Sequence, residues 1–132
     1  MWFLCLLEKA ACMLDSADLL RTFGLHLESG NADGAAMLFA PDAVYAEPPR
    51  FQFAGREALR AFFADFLTRH TDVHFAITRT LASADDTLLA AEWRWSYTRT
   101  ADGTARAFAG MCFVEISYGL ITRWRGYSVE TS

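Results

Sequence analysis

The chain has 132 residues, 53% of them hydrophobic, which is enough apolar material for one domain with a large core and a lined cavity. Disorder and a second domain are therefore not expected. The formal net charge is −4, and the arginines are scattered without a basic run to follow a phosphate backbone, which argues against nucleic acid as a partner.

The N-terminal segment is apolar from Met1 to Leu7, but this run is far shorter than the roughly 20 residues that span a bilayer. We expect residues 1–14 to be an extension ahead of a domain of residues 15–132, and no membrane association. The extension is either an added helix that packs on a partner or the product of a start placed before Met13. A signal peptide is the third alternative.

Three cysteines lack the close pairing and the histidine spacing of metal sites, and they are Cys5, Cys12 and Cys112. We interpret them as reduced thiols, which indicates a cytoplasmic protein.

Two helices and a strand are predicted in the first half of the chain. Asp15 or Ser16 can cap a helix that Gly30 ends, and Asp33 can cap a short second helix that Pro41 stops. The first helix carries one apolar face, made of Leu19, Leu20, Phe23 and Leu27. A strand then covers Ala43–Glu47, and Arg50–Ala54 is predicted to be a loop.

A third helix and four strands follow. From Gly55 to about His70 the apolar residues recur on one helical face, which is the clearest helical pattern in the sequence. Alternation of β-branched and aromatic residues then predicts four antiparallel strands, at Val73–Leu81, Thr87–Arg99, Ala105–Tyr118 and Leu120–Val129. This order favours a strongly curved sheet wrapped against helices on one face.

Three phrases carry a resemblance to a known family: Leu38–Val44, Gly55–Leu59 and Ile121–Arg125. With the order of elements, they resemble the SnoaL-like and ketosteroid-isomerase-like superfamily, which also includes nuclear transport factor 2. The resemblance implies an α+β fold in which a cone-shaped, curved, mostly antiparallel sheet packs on three helices around an internal pocket. It also implies a homodimer through the outer sheet face. It does not fix a function, because the superfamily holds isomerases, cyclases, dehydratases, epoxide hydrolases and proteins without chemistry.

Functional residues of the relatives match this chain unevenly. The base of ketosteroid isomerase, a carboxylate before a proline at the end of the first strand, corresponds to Glu47. Its two proton donors, a tyrosine and a protonated aspartate, correspond to Phe23 and Met111, which cannot donate. Ketosteroid isomerisation by that mechanism is therefore not expected.

The two other enzyme classes match no better. The Asp-Arg-Asp arrangement of the epoxide hydrolases corresponds to Trp93, Trp95 and Gly126, so the hydrolase mechanism is disfavoured. The C-terminal acid or base of the polyketide cyclases is missing, because Gly126 and Ser128 lie on the inward face there.

Strand alternation predicts an aromatic pocket around Glu47, our candidate catalytic base. Desolvation in such a pocket would raise the pKa of the carboxyl toward the range of a general base. In the alternative, Glu47 lies at a wet mouth or pairs with Arg50 and does nothing. The candidate substrate-binding residues are Phe23, Tyr45, Trp93, Trp95, Tyr97, Met111, Phe113 and Trp124.

Each candidate has a structural alternative. The tyrosines can satisfy backbone carbonyls, and the tryptophans can fill a core or a dimer interface. His26 is one helical turn after Phe23 and either approaches the same cavity as an acid or base or lies on the polar surface of the helix, which is the favoured interpretation. His70 and His74 are interpreted as structural residues. The histidines form no convincing metal site with Glu47, so no metal is expected.

Our leading hypothesis is an enzyme without a cofactor that acts on an apolar, cyclic, oxygenated substrate, of the isomerase, cyclase or dehydratase type. Glu47 would transfer the proton, and Tyr45 or Tyr97 would orient the substrate oxygen. The alternative is a module of the same fold that binds a ligand or dimerises without chemistry.

Overall fold

A computed structural model describes residues 15–131 of the protein, so the predicted N-terminal extension lies outside the described residues. The helices are α1 (Ser16–Glu28), α2 (Ala32–Met37) and α3 (Arg56–Arg69). The strands are β1 (Phe39–Glu47), β2 (Phe51–Ala54), β3 (His70–Ala82), β4 (Leu88–Arg99), β5 (Ala105–Ser117) and β6 (Leu120–Thr131). No helix within this range is long and apolar enough to cross a membrane.

The six strands form one curved sheet in the order β2-β1-β6-β5-β4-β3. Every neighbouring pair is antiparallel except β1 and β6, which run parallel. The apolar sides of α1 and α3 pack against the inner face of this sheet, which makes one continuous core. The predicted α+β fold, with a mostly antiparallel sheet on three helices, is confirmed.

Local chemistry explains where α1 begins and which face it buries. The carboxylate of Asp15 accepts a hydrogen bond from the Asp18 amide at 2.8 Å, which satisfies one of the free donors at the helix start. The predicted apolar face is buried, and it consists of Leu19, Leu20, Phe23 and Leu27. Gly30 follows the helix with a φ of 75°, a conformation that favours glycine.

The segment Phe51–Ala54 is a strand, so the predicted loop there is wrong. It pairs antiparallel with the end of β1, and Tyr45 lies opposite Phe53. An edge strand of four residues, one residue after Pro48 and Pro49, is too short to show a clear alternation of apolar and polar residues. β1 also starts earlier than predicted, at Phe39. Its register against β6 shifts between Phe39 and Val44, and this irregularity lets Pro41 lie inside the strand.

A buried hydrogen-bond pair joins α1 to the turn between β3 and β4. The Asp86 carboxylate accepts from the Ser16 amide at 2.8 Å and from the Ser16 hydroxyl at 2.5 Å. Ser16 is 3% exposed, so water cannot replace this partner.

Asp86→Ala is expected to lower the free energy of unfolding by about 1–3 kcal/mol, because two buried donors lose their acceptor. Asn at this position keeps an acceptor and tolerates the φ of 60° there, so Asp86→Asn should retain most of the stability. Urea unfolding measures both, and the loss from Asp86→Ala should shrink in a Ser16→Ala background. An equal loss in that background would show that the hydroxyl bond contributes nothing and that the amide bond or the backbone at Asp86 is responsible.

Candidate functional site

A cavity of about 270 Å³ lies between the inner face of the sheet and helices α1 and α3. Seven predicted site residues line it, namely Phe23, Tyr45, Glu47, Trp93, Trp95, Tyr97 and Trp124. Aromatic rings from several elements therefore surround a single carboxylate.

Met111 and Phe113 do not line the cavity, so their prediction as pocket residues is wrong. Their side chains lie on the outer face of the sheet and are 41% and 46% exposed. In the β4–β5 ladder, Trp93 pairs with Gly110 and Trp95 with Phe108, so the inward residues of β5 have even numbers. Gly110 and Cys112, the sequence neighbours of Met111, are on the inner face instead.

Glu47 is at the end of β1, two residues after Tyr45 and on the same face. Its Oε1 accepts a hydrogen bond from the Tyr45 hydroxyl at 3.2 Å, and its Oε2 lies 3.3 Å from an Arg50 nitrogen. Burial raises the pKa of Glu47, while Tyr45 and Arg50 oppose this by favouring the charged form. The pairing with Arg50 that the sequence left open is thus present, as one long contact.

Gly126 creates the space beside this carboxylate. The point where a Cβ would stand on Gly126 is 2.9 Å from Trp124 Nε1 and 3.4 Å from Glu47 Oε1. The indole N–H groups of Trp93 and Trp124 are buried and have no acceptor among residues 15–131. Two hydrogen-bond donors that cannot ionise therefore lie in the wall of the pocket that holds the carboxylate.

Two tyrosines of the lining and the nearby thiol of Cys112 stay protonated at neutral pH. Burial and the neighbouring Glu47 charge raise the pKa of Tyr45 well above its usual range, and burial raises the pKa of Tyr97. Burial also raises the pKa of Cys112 to about 12, so this free thiol is not a nucleophile. Among Glu47, the two tyrosines and Cys112, the Glu47 carboxylate is therefore the group that can accept a proton.

The mouth of the cavity carries residues that we did not predict. Arg50 donates to the Ser128 hydroxyl at 2.7 Å and lies over the rings of Phe51 and Phe108. Arg106 lies over Phe108 from its own strand, with its guanidinium centre 5.3 Å from the ring. Further unpredicted lining residues are Leu27, Phe62, Phe63, Phe66, His70 and Phe75.

Of the three histidines, only His70 lines the cavity. Its Nδ1 donates to the Phe66 carbonyl oxygen at 2.8 Å, and its ring stacks on Phe66. His26 contacts Asn31, and His74 pairs with an exposed aspartate. In the part of the chain that the structure describes, no three His, Cys, Asp or Glu side chains are grouped to hold a metal ion.

Glu47→Gln is expected to make the protein more stable at alkaline pH. Because burial raises the pKa of Glu47 in the folded state, that state binds more protons than the unfolded chain between the two pKa values. The free energy of unfolding therefore falls as the pH rises through this interval. At any pH above the interval, each unit by which the folded pKa is raised lowers the free energy of unfolding by about 1.4 kcal/mol.

Urea unfolding of both proteins from acid to alkaline pH measures this difference. It should be greatest at alkaline pH and should vanish below the pKa of an unfolded glutamate. Glu115→Gln, an exposed change on the outer sheet face, is the control. A constant difference across the pH range would contradict the assignment.

Comparison with known proteins gives one family and many similar structures. The model of the SnoaL-like domain family matches residues 20–124. An LEH-like epoxide hydrolase from Mycobacterium tuberculosis is 18% identical with a TM-score of 0.74, over 86% of this chain and 82% of that one. A protein from the same organism in complex with estradiol-17beta-hemisuccinate is 19% identical with a TM-score of 0.75, over 86% and 93%.

A protein with a ketosteroid isomerase-like fold from Catenulispora acidiphila, in complex with trimethylamine, is 18% identical with a TM-score of 0.74, over 83% of each chain. The curated proteins contain no significant match. At these identities the similar structures establish a shared fold and leave the reaction open.

Proposed function

Because the chain belongs to the SnoaL-like domain family, we propose that it is an enzyme that works without a cofactor. Its reaction moves a proton from one position to another on an apolar, oxygenated ring compound. The observation that carries the proposal is Glu47, a carboxylate with a raised pKa inside an aromatic cavity. Flat aromatic walls suit a cyclic substrate, and a carboxylate whose pKa is raised by burial suits a general base.

In the proposed step, Glu47 accepts a proton from a carbon next to a substrate carbonyl. The electron pair of the broken C–H bond moves toward the carbonyl oxygen, which becomes an enolate oxygen. When a C=C bond is conjugated with the enolate, return of the same proton to the far carbon of that system isomerises the substrate. When the enolate carbon instead attacks a second carbonyl, a C–C bond closes the ring, the C=O electron pair becomes an alkoxide, and Glu47 returns the proton to that oxygen. Tyr45 holds the carboxylate, and Tyr97 or an indole N–H donates to the oxygen.

A binding module without chemistry is the second candidate. The observation that favours it is the position of Phe23, which is buried in an aromatic cluster where an isomerase has a proton donor. A module of this kind would bind the same ligands and leave them unchanged. Turnover therefore separates the two candidates, and binding alone does not.

The proposal is tested first by fluorescence titration with steroids, aromatic polyketides and terpenoids, because Trp93, Trp95 and Trp124 line the cavity. Each ligand that quenches is then assayed for conversion by wild type, Glu47→Gln and the control Glu115→Gln. We expect Glu47→Gln to lose about 10²–10⁴-fold in turnover with little change in the affinity for an uncharged ligand. Unchanged turnover in Glu47→Gln would remove Glu47 from the mechanism, and binding without any turnover would favour the module.

We further propose that the protein is cytoplasmic and forms a homodimer through the outer sheet face. Exposed apolar side chains on neighbouring strands there support the dimer, and they are Met111, Phe113, Tyr127 and Val129. Light scattering on wild type and Phe113→Lys measures the assembly. A monomeric wild type at micromolar concentration would exclude it.

A further inference from the structure

Arg50 crosses the mouth of the cavity with most of its hydrogen-bonding capacity unused. Both polar contacts of its guanidinium within residues 15–131, to Ser128 and to Glu47, are made by the single nitrogen Nη2. The guanidinium carries five N–H donors, so Nη1 and Nε remain for another acceptor. The side chain is 48% exposed, which leaves the group accessible from the mouth.

The charge of Arg50 is also incompletely balanced. Arg106, the other arginine of the lining, is held by Glu130 through two hydrogen bonds of 2.9 and 2.6 Å. Arg50 has only the single 3.3 Å contact to Glu47, whose charged form is disfavoured by burial. Among the described lining residues, Arg50 is thus the cation without a matched carboxylate.

The rings around Arg50 hold its guanidinium in place. Its centre lies 6.0 Å from the Phe51 ring and 5.8 Å from the Phe108 ring, one on β2 and one on β5. An arginine supported on aromatic faces keeps its planar fork oriented, and this fork matches the two oxygens of a carboxylate. A single uncompensated charge is better matched by a carboxylate than by a doubly charged phosphate.

We propose that the ligand of this cavity is an apolar ring compound that bears a carboxylate, and that Arg50 binds this carboxylate at the mouth in place of Glu47. This inference deepens the proposed function and rests on the same cavity. The ring system occupies the aromatic interior, and the ligand carboxylate accepts two hydrogen bonds from the guanidinium, one from the free Nη1 and one from Nη2, where it replaces the long contact to Glu47. Glu47 then faces the ring without its arginine partner and is available to the substrate.

Two matched probes test the proposal: naphthylacetate and its neutral amide, naphthylacetamide. They share one ring system and nearly one shape, so their difference in affinity reports the carboxylate charge. Calorimetry at low ionic strength should show the acid binding wild type about tenfold more tightly than the amide, or better. Equal affinities, or no binding of the acid, would overturn the proposal.

Variants assign the preference to Arg50. Arg50→Gln should abolish the preference for the acid, whereas Arg50→Lys should keep part of it because it keeps the charge. Arg99→Gln is the control, since Arg99 pairs with Asp102 and does not line the cavity. Thermal melts check that each variant folds. Persistence of the full preference in both Arg50 variants would overturn the proposal.

Glu47→Gln should strengthen the binding of the acid, whereas the Arg50 variants weaken it. Glu47→Gln removes the carboxylate that competes for Arg50, so the acid should bind about three- to tenfold more tightly while the amide is little changed. Weaker binding of the acid in Glu47→Gln would contradict the exchange at Arg50. Naphthylmethylphosphonate is the third probe, and tighter, Arg50-dependent binding of it would replace the carboxylate assignment by a phosphoryl one.

These results are independent of turnover. If the acid binds through Arg50 but Glu47→Gln turns over a substrate normally, the proposed function fails and the inference stands. If Glu47→Gln abolishes turnover but Arg50→Gln leaves the preference intact, the inference fails and the proposed function stands.

Discussion

Phe23→Ala is expected to cost about 3–5 kcal/mol of the free energy of unfolding, the usual loss for truncating a large buried aromatic. Phe23 is 2% exposed, and its ring contacts four other aromatic rings from α3 and the sheet. Those partners are Phe39, Phe63, Phe75 and Trp124. Removal of the ring leaves a void at the point where α1 meets both other layers of the core.

Urea unfolding at neutral pH measures this loss, and Leu25→Ala is the matched control. Leu25 is on the same helix and is 63% exposed, so its truncation should cost less than about 0.5 kcal/mol. Equal losses in the two variants would mean that helix propensity, and not the aromatic cluster, accounts for the effect of Phe23.

Gly110→Ala should destabilise the protein by about 1–3 kcal/mol and also close the cavity, because a methyl group there has no room. Its Cβ would lie 2.5 Å from the Tyr127 carbonyl oxygen and 2.6 Å from Trp93 Cη2. The contact with the backbone oxygen forces β5 and β6 apart, and the contact with Trp93 moves its indole into the pocket. Both movements reduce ligand affinity.

Two measurements on Gly110→Ala separate these movements. A loss of ligand quenching with only a small loss of stability indicates that Trp93 has moved, whereas a large loss of stability indicates broken strand pairing. Ala109→Ser, one residue earlier and on the opposite face, should affect neither property. Normal stability together with normal affinity in Gly110→Ala would contradict the packing described at this position.

The helices and the order of strands could be predicted because their patterns repeat over many residues. α1 and α3 begin and end within about two residues of the predicted positions, since each has a long apolar face. The cavity-facing sides of β1 and β4 were predictable for the same reason, and they bring Tyr45 and Glu47 close to Trp93.

The inward face of β5 could not be predicted from alternation, because Phe108, Cys112 and Val114 are as apolar as Met111 and Phe113. The register of the hairpin between β4 and β5 fixes the inward face. In the structure the Arg99 amide donates to the Thr104 carbonyl, and Thr98 pairs with Ala105. A loop with an even number of residues pairs odd positions with even ones, which places Phe108 opposite Trp95.

The role of Arg50 was beyond sequence reasoning for a different reason. Its guanidinium meets Ser128, which is far along the chain, and Phe108 on another strand. Such contacts depend on how a long, flexible side chain folds back across a finished sheet. The register shift between Glu115 and Ile116 in the β5–β6 pair is also invisible in the sequence pattern. It places Trp124, Gly126 and Ser128 on the inward face of β6.

The parallel pairing of β1 with β6 has a consequence for how the protein is made. The first strand to leave the ribosome finds its central neighbour only when the last strand has followed it, about 80 residues later in sequence. Until then β1 and β5 both have open edges, and the aromatic side chains of the unfinished cone face water. A chain that stops before Leu120 would lack Trp124 as well as the strand that joins the two halves of the sheet. We therefore expect folding to wait until β6 has left the ribosome, and chaperones to bind the nascent protein during that interval.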